Sequence, residues 1–559
     1  MPTASPTPDP PHRDRLEFLA LAIVVVLVAL SQALRSLPVI YPDGVAYLDL
    51  SDRLLAGDWQ HFAQPYWSPV FPALIAAARV IFGAGASADS GIIHGLTFAF
   101  AVATLPAWWW LLRECDETLR EISESQWRAF RSPALRVATH SAYVWATLWY
   151  APPSFLTPDL LLAALMFAAG ALLLRVRRTG QGAFALGGTL GVAYLVKFAA
   201  LPIGLVIIAL ASLHNRTLDT RRLARSLAVL AAVVLPWVAV LSASAGHPEL
   251  GSTARLNYAW FVAKSVAQTP HANEAPGAGR WVRVLKTPPV FDVASGGFGT
   301  YPPWADPTHW VIGARATLSA ASQLRALRHE GWQIASALAL LWLTIGVLSL
   351  VQPTVGTPRA SLWPLGLVGG ISLAMYAMVH VDGRFFAPVV PLLGAAMLAR
   401  LAAAHGRGGR SGKGITIGCV IFAVTTVAPT LAREPFLWGV KAPDFPPPLA
   451  PLEFADTLAV HGVQPGFGIA VVGPVFPATG MLRRARQQVV AEVPLESIAL
   501  FWKATARDRD CALATMHALG ARAVLAVEPI PVQLPAGWKP LGEGMAVLLL
   551  PAAPSCASP

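Results

Sequence analysis

Four charged residues stand where this otherwise apolar chain could use them for chemistry. Asp43 lies between Pro42 and Gly44, just after the first long apolar run. Lys197 is the only charge in the apolar stretch 182–213, Asp159 opens an apolar run in FLTPDLL, and Arg384 separates two apolar runs in HVDGRFFAPVVP, with His380 and Asp382 within a turn of it. An ionisable group at membrane depth is costly to keep and marks a functional site by default. A single carboxylate can take the proton of an attacking hydroxyl. An ammonium and a guanidinium can hold a phosphate and stabilise the charge that develops as it leaves, the guanidinium fork being the better geometric match. Asp159 could steer an acceptor, tune a neighbouring base or, together with Asp43, hold a divalent metal ion. Tyr47, His380 and Asp382 are further candidates for acceptor or metal contacts. Each residue also has a plainer reading. Asp43 and Asp159 would cap the helices they open, Lys197 would snorkel to the interface, and Arg384 would anchor a span there. Ser-His-Asp order, HExxH, a Walker loop and zinc spacing are all absent from the sequence.

The composition says what kind of element must hold these residues. Of 559 residues 55% are hydrophobic and 13% charged, the balance of a polytopic α-helical membrane protein rather than of a soluble one. Segments of spanning length fall near 17–37, 90–112, 135–151, 159–174, 182–196, 199–213, 225–244, 334–351, 361–380, 385–402 and 414–432, about eleven spans. The first is longer than a signal-peptide core and lacks a cleavage site, so it reads as a retained span. Arginine and lysine crowd alternate short loops: Arg13 and Arg15, the stretch 113–131, Arg175 to Arg178, 215–225, Arg359 and 407–413. With the N-terminus in the cytoplasm all of these fall on that side, provided that 69–83 lies in the interface and 182–213 crosses twice. Most of the net charge of +11 is thereby accounted for, and nucleic acid is not an expected partner. Asp43, Asp159, Lys197 and Arg384 all emerge on the opposite, extracytoplasmic side.

Around Asp43, positions Tyr47, Leu50 and Leu54 share one face of a helix expected over 44–56, which Gly57 can stop. This helix lies in the first outer loop, 38–89. A second outer loop, 245–333, is too long for a mere connection. It carries Trp260, Trp281, Trp304, Trp310 and Trp332 together with GGFGTYPPWADP, which reads either as an interfacial belt or as a cover over a site. After the membrane domain, 1–432, a proline-rich linker at 442–453 leads into a small α/β domain, 433–559. Strands are expected at 468–473, 487–493, 521–528 and 545–550 and helices near 452–462 and 508–519. Cys511 and Cys556 would both lie in an oxidising compartment and could pair; none of the four cysteines has metal-ligand spacing.

In order along the chain, YPDGVAYLDLSDRLLAGDW, PVFPALIAAARVIFG, FLTPDLLLAAL, GVAYLVKFAALP and DGRFFAPVVPLLG resemble the motifs of the GT-C superfamily of integral membrane glycosyltransferases. The resemblance covers roughly 38–400. It is nearest to the branch with protein O-mannosyltransferases, the lipid A aminoarabinose transferase and lipopolysaccharide-core galacturonosyltransferases. It implies inverting transfer of a sugar from a polyprenyl-phosphate donor to a lipid, glycan or protein acceptor at the outer face of the cytoplasmic membrane. Asp43 would take the place of the family's base, and Lys197 and Arg384 those of its lipid-phosphate contacts. The chain departs from the mannosyltransferases in having Gly44 where they tend to place a second acid. It departs from the aminoarabinose transferase in having Ser68 where that enzyme has a lysine before the proline of the interfacial helix.

The expected chemistry also stands without the family. A phosphate leaves without being protonated, so a lipid-phosphate sugar needs one base and cations rather than the two carboxylates of a glycoside hydrolase. The rival readings are a transporter or flippase of lipid-linked sugars, which would be expected to show internal repeats, and a non-catalytic envelope assembly protein.

Overall fold

The computed structural model describes residues 11–214, 217–265, 282–294, 297–306, 316–339, 362–405, 409–434, 454–542 and 544–551. Most of the described chain is helical. Among the described residues, five helices are long and apolar enough to cross a membrane, His12–Ser36, Asp89–Ile122, Asp159–Thr179, Thr220–Ala245 and Lys413–Ala432, and shorter apolar helices include Ala183–Val196, Ala200–Ser212, Trp363–Ala377 and Val390–Ala403. Pro133–Val144 continues as a wider helical turn through Trp145–Tyr150. Every expected span falls on a helix except 334–351, most of which lies outside the described residues. The chain is a multi-pass helical membrane protein.

Without a hydrophobic drive between helices in lipid, packing and buried polar contacts must hold such a bundle together. Trp108 stacks on Tyr143 with ring centroids 5.1 Å apart, Phe167 meets both edge-on, and the Tyr143 and Thr104 hydroxyls lie 2.6 Å apart. These contacts lock together the helices Asp89–Ile122, Pro133–Val144 and Asp159–Thr179. Toward the far end of the first of these, Asp116 accepts bonds from Arg136 at 2.5 Å and Arg131 at 3.3 Å. That network stands about 40 Å from Asp89 at 1.5 Å per residue, at the opposite end of the bundle from the site described below.

Between the first two long helices, the described residues form three α-helices, Pro42–Leu55, the short Trp59–Phe62 and Val70–Phe82. The stretch 182–213 is interrupted at Lys197, whose backbone is extended between its two helices.

Among the described residues, the C-terminal domain contains one seven-stranded sheet. Its parallel centre is Gln488–Val493, Gly468–Val472 and Ala521–Val527, with Met545–Leu549 and then Lys539–Gly542 added antiparallel on one side. On the other side the sheet is extended by a hairpin, Val282–Lys286 and Pro289–Asp292, that pairs with Gln488–Val493. The hairpin belongs to the long loop 245–333, so the domain expected from 433–559 takes two of its strands from the membrane half of the sequence. The strand Lys539–Gly542 also went unanticipated. Cys511 is disulfide-bonded and Cys115 and Cys419 are free; Cys556, the candidate partner, lies outside the described residues.

Candidate active site

The helix Pro42–Leu55 starts on a proline, whose fixed φ suits a first turn, and its N-cap residue is Tyr41, which makes no side-chain cap bond. Asp43 therefore does not cap. Its Oδ2 accepts a bond from Arg384 Nη1 at 2.7 Å, across 341 positions of sequence. Asp159 is likewise no cap: it begins its helix after Pro158. One of its oxygens accepts from Thr157 Oγ1 at 2.7 Å, and the other meets Lys197 Nζ at 2.5 Å. The Lys197 ammonium also stands 4.1 Å above the Phe385 ring. Arg384 is carried on the short helical turn Gly383–Phe386, which Asp382 caps. Arg384 Nε also lies 3.1 Å from Asp382 and 3.8 Å from Asp159. Two cations thus stand among three carboxylates, with Arg384 bridging all three. Burial works against the guanidinium's charge, but Asp43, Asp159 and Asp382 outweigh it and hold the group protonated well beyond its usual range.

A cavity of about 160 Å³ opens onto this cluster. Asp43, Tyr47, Asp159, Lys197, His380, Asp382 and Arg384 all line it, so every site residue singled out in the sequence meets in one place. Tyr47 is wedged edge-on between Trp67 and Phe71. Burial, reinforced by Asp43 and Asp159, pushes its phenol up, so it presents a neutral hydroxyl. His380 stacks on Phe261 with centroids 3.8 Å apart, and its Nδ1 lies 3.5 Å from the buried Glu330.

A second cavity, about 280 Å³, lies against the same Asp43–Arg384 pair and is bounded by Tyr41, Pro42, Phe155, Trp304, Asp382 and Phe476. Trp304 borders both. Its ring meets Trp67 edge-on at 5.6 Å and Phe476 of the C-terminal domain at 5.1 Å.

Several lining residues were not singled out from sequence. Thr253, Asn257 and Phe261 come from the start of the long loop 245–333, which is tied down where Thr253 Oγ1 donates to the Tyr66 carbonyl at 2.8 Å and the Ser252 N–H to that of Pro65 at 2.6 Å. Of the loop's tryptophans, Trp260 is buried, Trp332 is 74% exposed and Trp304 lines the cavities. Trp281 and Trp310 lie outside the described residues. Ser68 accepts the Phe198 N–H at 3.2 Å, bracing the turn that carries Lys197. Among the described residues no group of three or more His, Cys, Asp or Glu side chains is arranged to hold a metal ion, and the carboxylates of the cavity are occupied by Lys197 and Arg384.

The fold and site together define a helical membrane protein with a charged cavity where two of its loops and its C-terminal domain meet the bundle. No protein-family model and no curated protein sequence matches the chain. It is similar to the crystal structure of ArnT from Cupriavidus metallidurans bound to undecaprenyl phosphate, at 14% identity over 97% of this chain and 98% of that one, with a TM-score of 0.49. The apo state of that protein gives 13% identity over 96% and 98%, with a TM-score of 0.48. The apo oligosaccharyltransferase of Archaeoglobus fulgidus gives 13% identity over 91% of this chain and 69% of that one, with a TM-score of 0.43.

Proposed function

We propose that the protein is a glycosyltransferase of the cytoplasmic (inner) membrane that moves a sugar from a polyprenyl-phosphate donor to an acceptor hydroxyl on the extracytoplasmic side. The observation that carries this reading is the Asp43–Arg384 contact of 2.7 Å, with Lys197 beside it and a cavity on either hand. In the proposed reaction the donor phosphate occupies the side of Lys197 and Arg384. The acceptor oxygen attacks the anomeric carbon from the face opposite the phosphate, the carbon–oxygen bond to phosphate breaks, and configuration inverts. Asp43 takes the acceptor's proton, and the two cations stabilise the phosphate's departing charge. Arrival of a phosphate at Arg384 draws the guanidinium from Asp43 and frees the carboxylate to act as base.

One carboxylate with two cations is what this chemistry asks for, and all the steps are met by residues of the chain. The acceptor is a lipid, a glycan or a protein. Mass spectrometry of envelope glycolipids and glycoproteins from cells with and without the gene tests the reading. A sugar-sized mass lost on deletion, restored by the wild-type gene and not by Asp43→Asn, supports it. Identical envelopes in all strains contradict it.

A further inference from the structure

Trp304 borders both cavities, so its placement sets what either admits. It lies on 299–306, a segment with no regular structure beyond the short turn Pro302–Ala305. Its position must therefore come from what grips it. One grip is the strand Gln488–Val493, where the Val489 N–H donates to the Thr300 carbonyl at 2.9 Å and Glu492 accepts from the Tyr301 hydroxyl at 2.9 Å.

The other grip is Asp49, on the same helix as Asp43. Asp49 Oδ2 accepts the Thr300 N–H at 2.8 Å and Oδ1 accepts its hydroxyl at 3.0 Å. The seat is tight: a Cβ on Gly299, whose φ is +86°, would lie 2.6 Å from Asp49 Oδ2 and 2.9 Å from Ala305 Cβ. Only glycine permits that approach. Asp49 is 2% exposed, and a buried carboxylate must be paired to stay in place. Its partner is Arg483 of the C-terminal domain, Nη1 to Oδ1 at 2.7 Å. Arg483 also reaches Asp52 at 2.6 Å and Asp89 at 2.7 Å and 2.9 Å, while Arg79 closes the cluster by bonding Asp52 at 2.5 Å and Asp89. Three positions before Arg483, a Cβ on Gly480 would meet the Ile40 carbonyl at 2.1 Å, so the domain seats directly on the chain leading to Asp43.

We infer that Arg483 is a positioning residue for the transfer site: by fixing Asp49 it fixes Thr300, and through Thr300 the Trp304 wall between the two cavities. The inference rests on the reading of those cavities as a polyprenyl-phosphate transfer site. A cluster that only joined two domains would need no bond to the segment that carries Trp304, yet Asp49 directs both its oxygens to Thr300.

The test uses the full-length protein in lipid nanodiscs with undecaprenyl phosphate as probe. Affinity, thermal midpoint and hydrogen exchange over 297–306 are measured for wild type, Arg483→Lys, Gly299→Ala and Thr300→Val. Lysine keeps the charge and loses the fork that reaches three carboxylates. The alanine lifts the loop off Asp49 without altering any charge, and the valine removes one of the two bonds. All three are expected to exchange faster over 297–306 and to bind the probe at least about tenfold more weakly, since displacements near 1 Å carry effects of that size and more. A lowered midpoint with wild-type affinity and wild-type exchange in this segment overturns the inference. If the wild type itself fails to bind the probe, it is the transfer reading that falls. Exchange over 297–306 in Arg483→Lys then decides the positioning role alone, faster exchange supporting it and unchanged exchange refuting it.

Discussion

Replacing Asp43 by Asn separates a catalytic role from a structural one because the structure keeps the structural cost small. Asp43 does not cap its helix, so the roughly 1 kcal/mol that a lost cap would cost does not arise. The Asp43–Arg384 pair has side chains 22% and 24% exposed, and a partly exposed pair contributes at most about 1 kcal/mol after solvent screening. Arg384 is not stranded by the change, because Asp382 at 3.1 Å and Asp159 at 3.8 Å remain. Asn is isosteric and still offers an oxygen. Against this, losing a general base costs about 10²- to 10⁴-fold in rate, which is about 3 to 5 kcal/mol of barrier. The assay is transfer rate per folded protein, with folding scored by monodispersity and thermal midpoint. A midpoint near wild type with transfer down at least about 100-fold is the expected result. Transfer within threefold of wild type would refute the assignment of Asp43 as base.

Lys197→Met is expected to weaken donor binding about tenfold or more while the fold persists, since Thr157 and Arg384 still face Asp159; unchanged donor affinity would show that the ammonium does not contact phosphate. Gly44→Asp, which supplies the second acid that the mannosyltransferases tend to carry, is expected to destabilise the protein rather than add activity. A Cβ there would sit 3.1 Å from Leu156 Cβ and 3.3 Å from Ile93 Cδ1, and a carboxylate would be buried among apolar groups with no partner. Expression and thermal midpoint check this. Glu492 gives a pH signature. Its carboxyl is buried and pushed up to about 8, so the folded state holds its proton more tightly than the unfolded one. The stability it contributes is full below the ordinary carboxylate value and is lost as pH rises through about 8. The thermal midpoint should fall from pH 5 to pH 9 in wild type and fall less in Glu492→Gln, and equal slopes would contradict the shift.

The helical spans were legible because long apolar runs admit few alternatives in a chain of this composition, and the polar residues that the parity of basic loops grouped together line one cavity. The strands of the C-terminal domain near 468, 488, 521 and 545 were legible as short β-branched runs. The hairpin Val282–Lys286 and Pro289–Asp292 was not, because it completes a sheet some 200 residues further along the chain and its pattern is mostly exposed on one strand. Asp43, Asp159, Lys197 and Arg384 stood out as charges in apolar surroundings. Arg483 did not, because in RRARQQ it looks like any surface basic run. Its burial against Asp49, Asp52 and Asp89 is created by domain docking, for which a local pattern holds no signal. Trp304 was visible in GGFGTYPPWADP, yet only the packing of Trp67 and Phe476 around it reveals a wall between two cavities.

The most direct measurement is donor turnover by the purified protein in nanodiscs, supplied with a polyprenyl-phosphate-linked sugar and an envelope extract as acceptor. Free polyprenyl phosphate should appear together with a product of inverted anomeric configuration, and both should vanish in Asp43→Asn. A donor that is bound yet stays intact, or one that is moved across a vesicle without cleavage, would contradict sugar transfer as the function of this site.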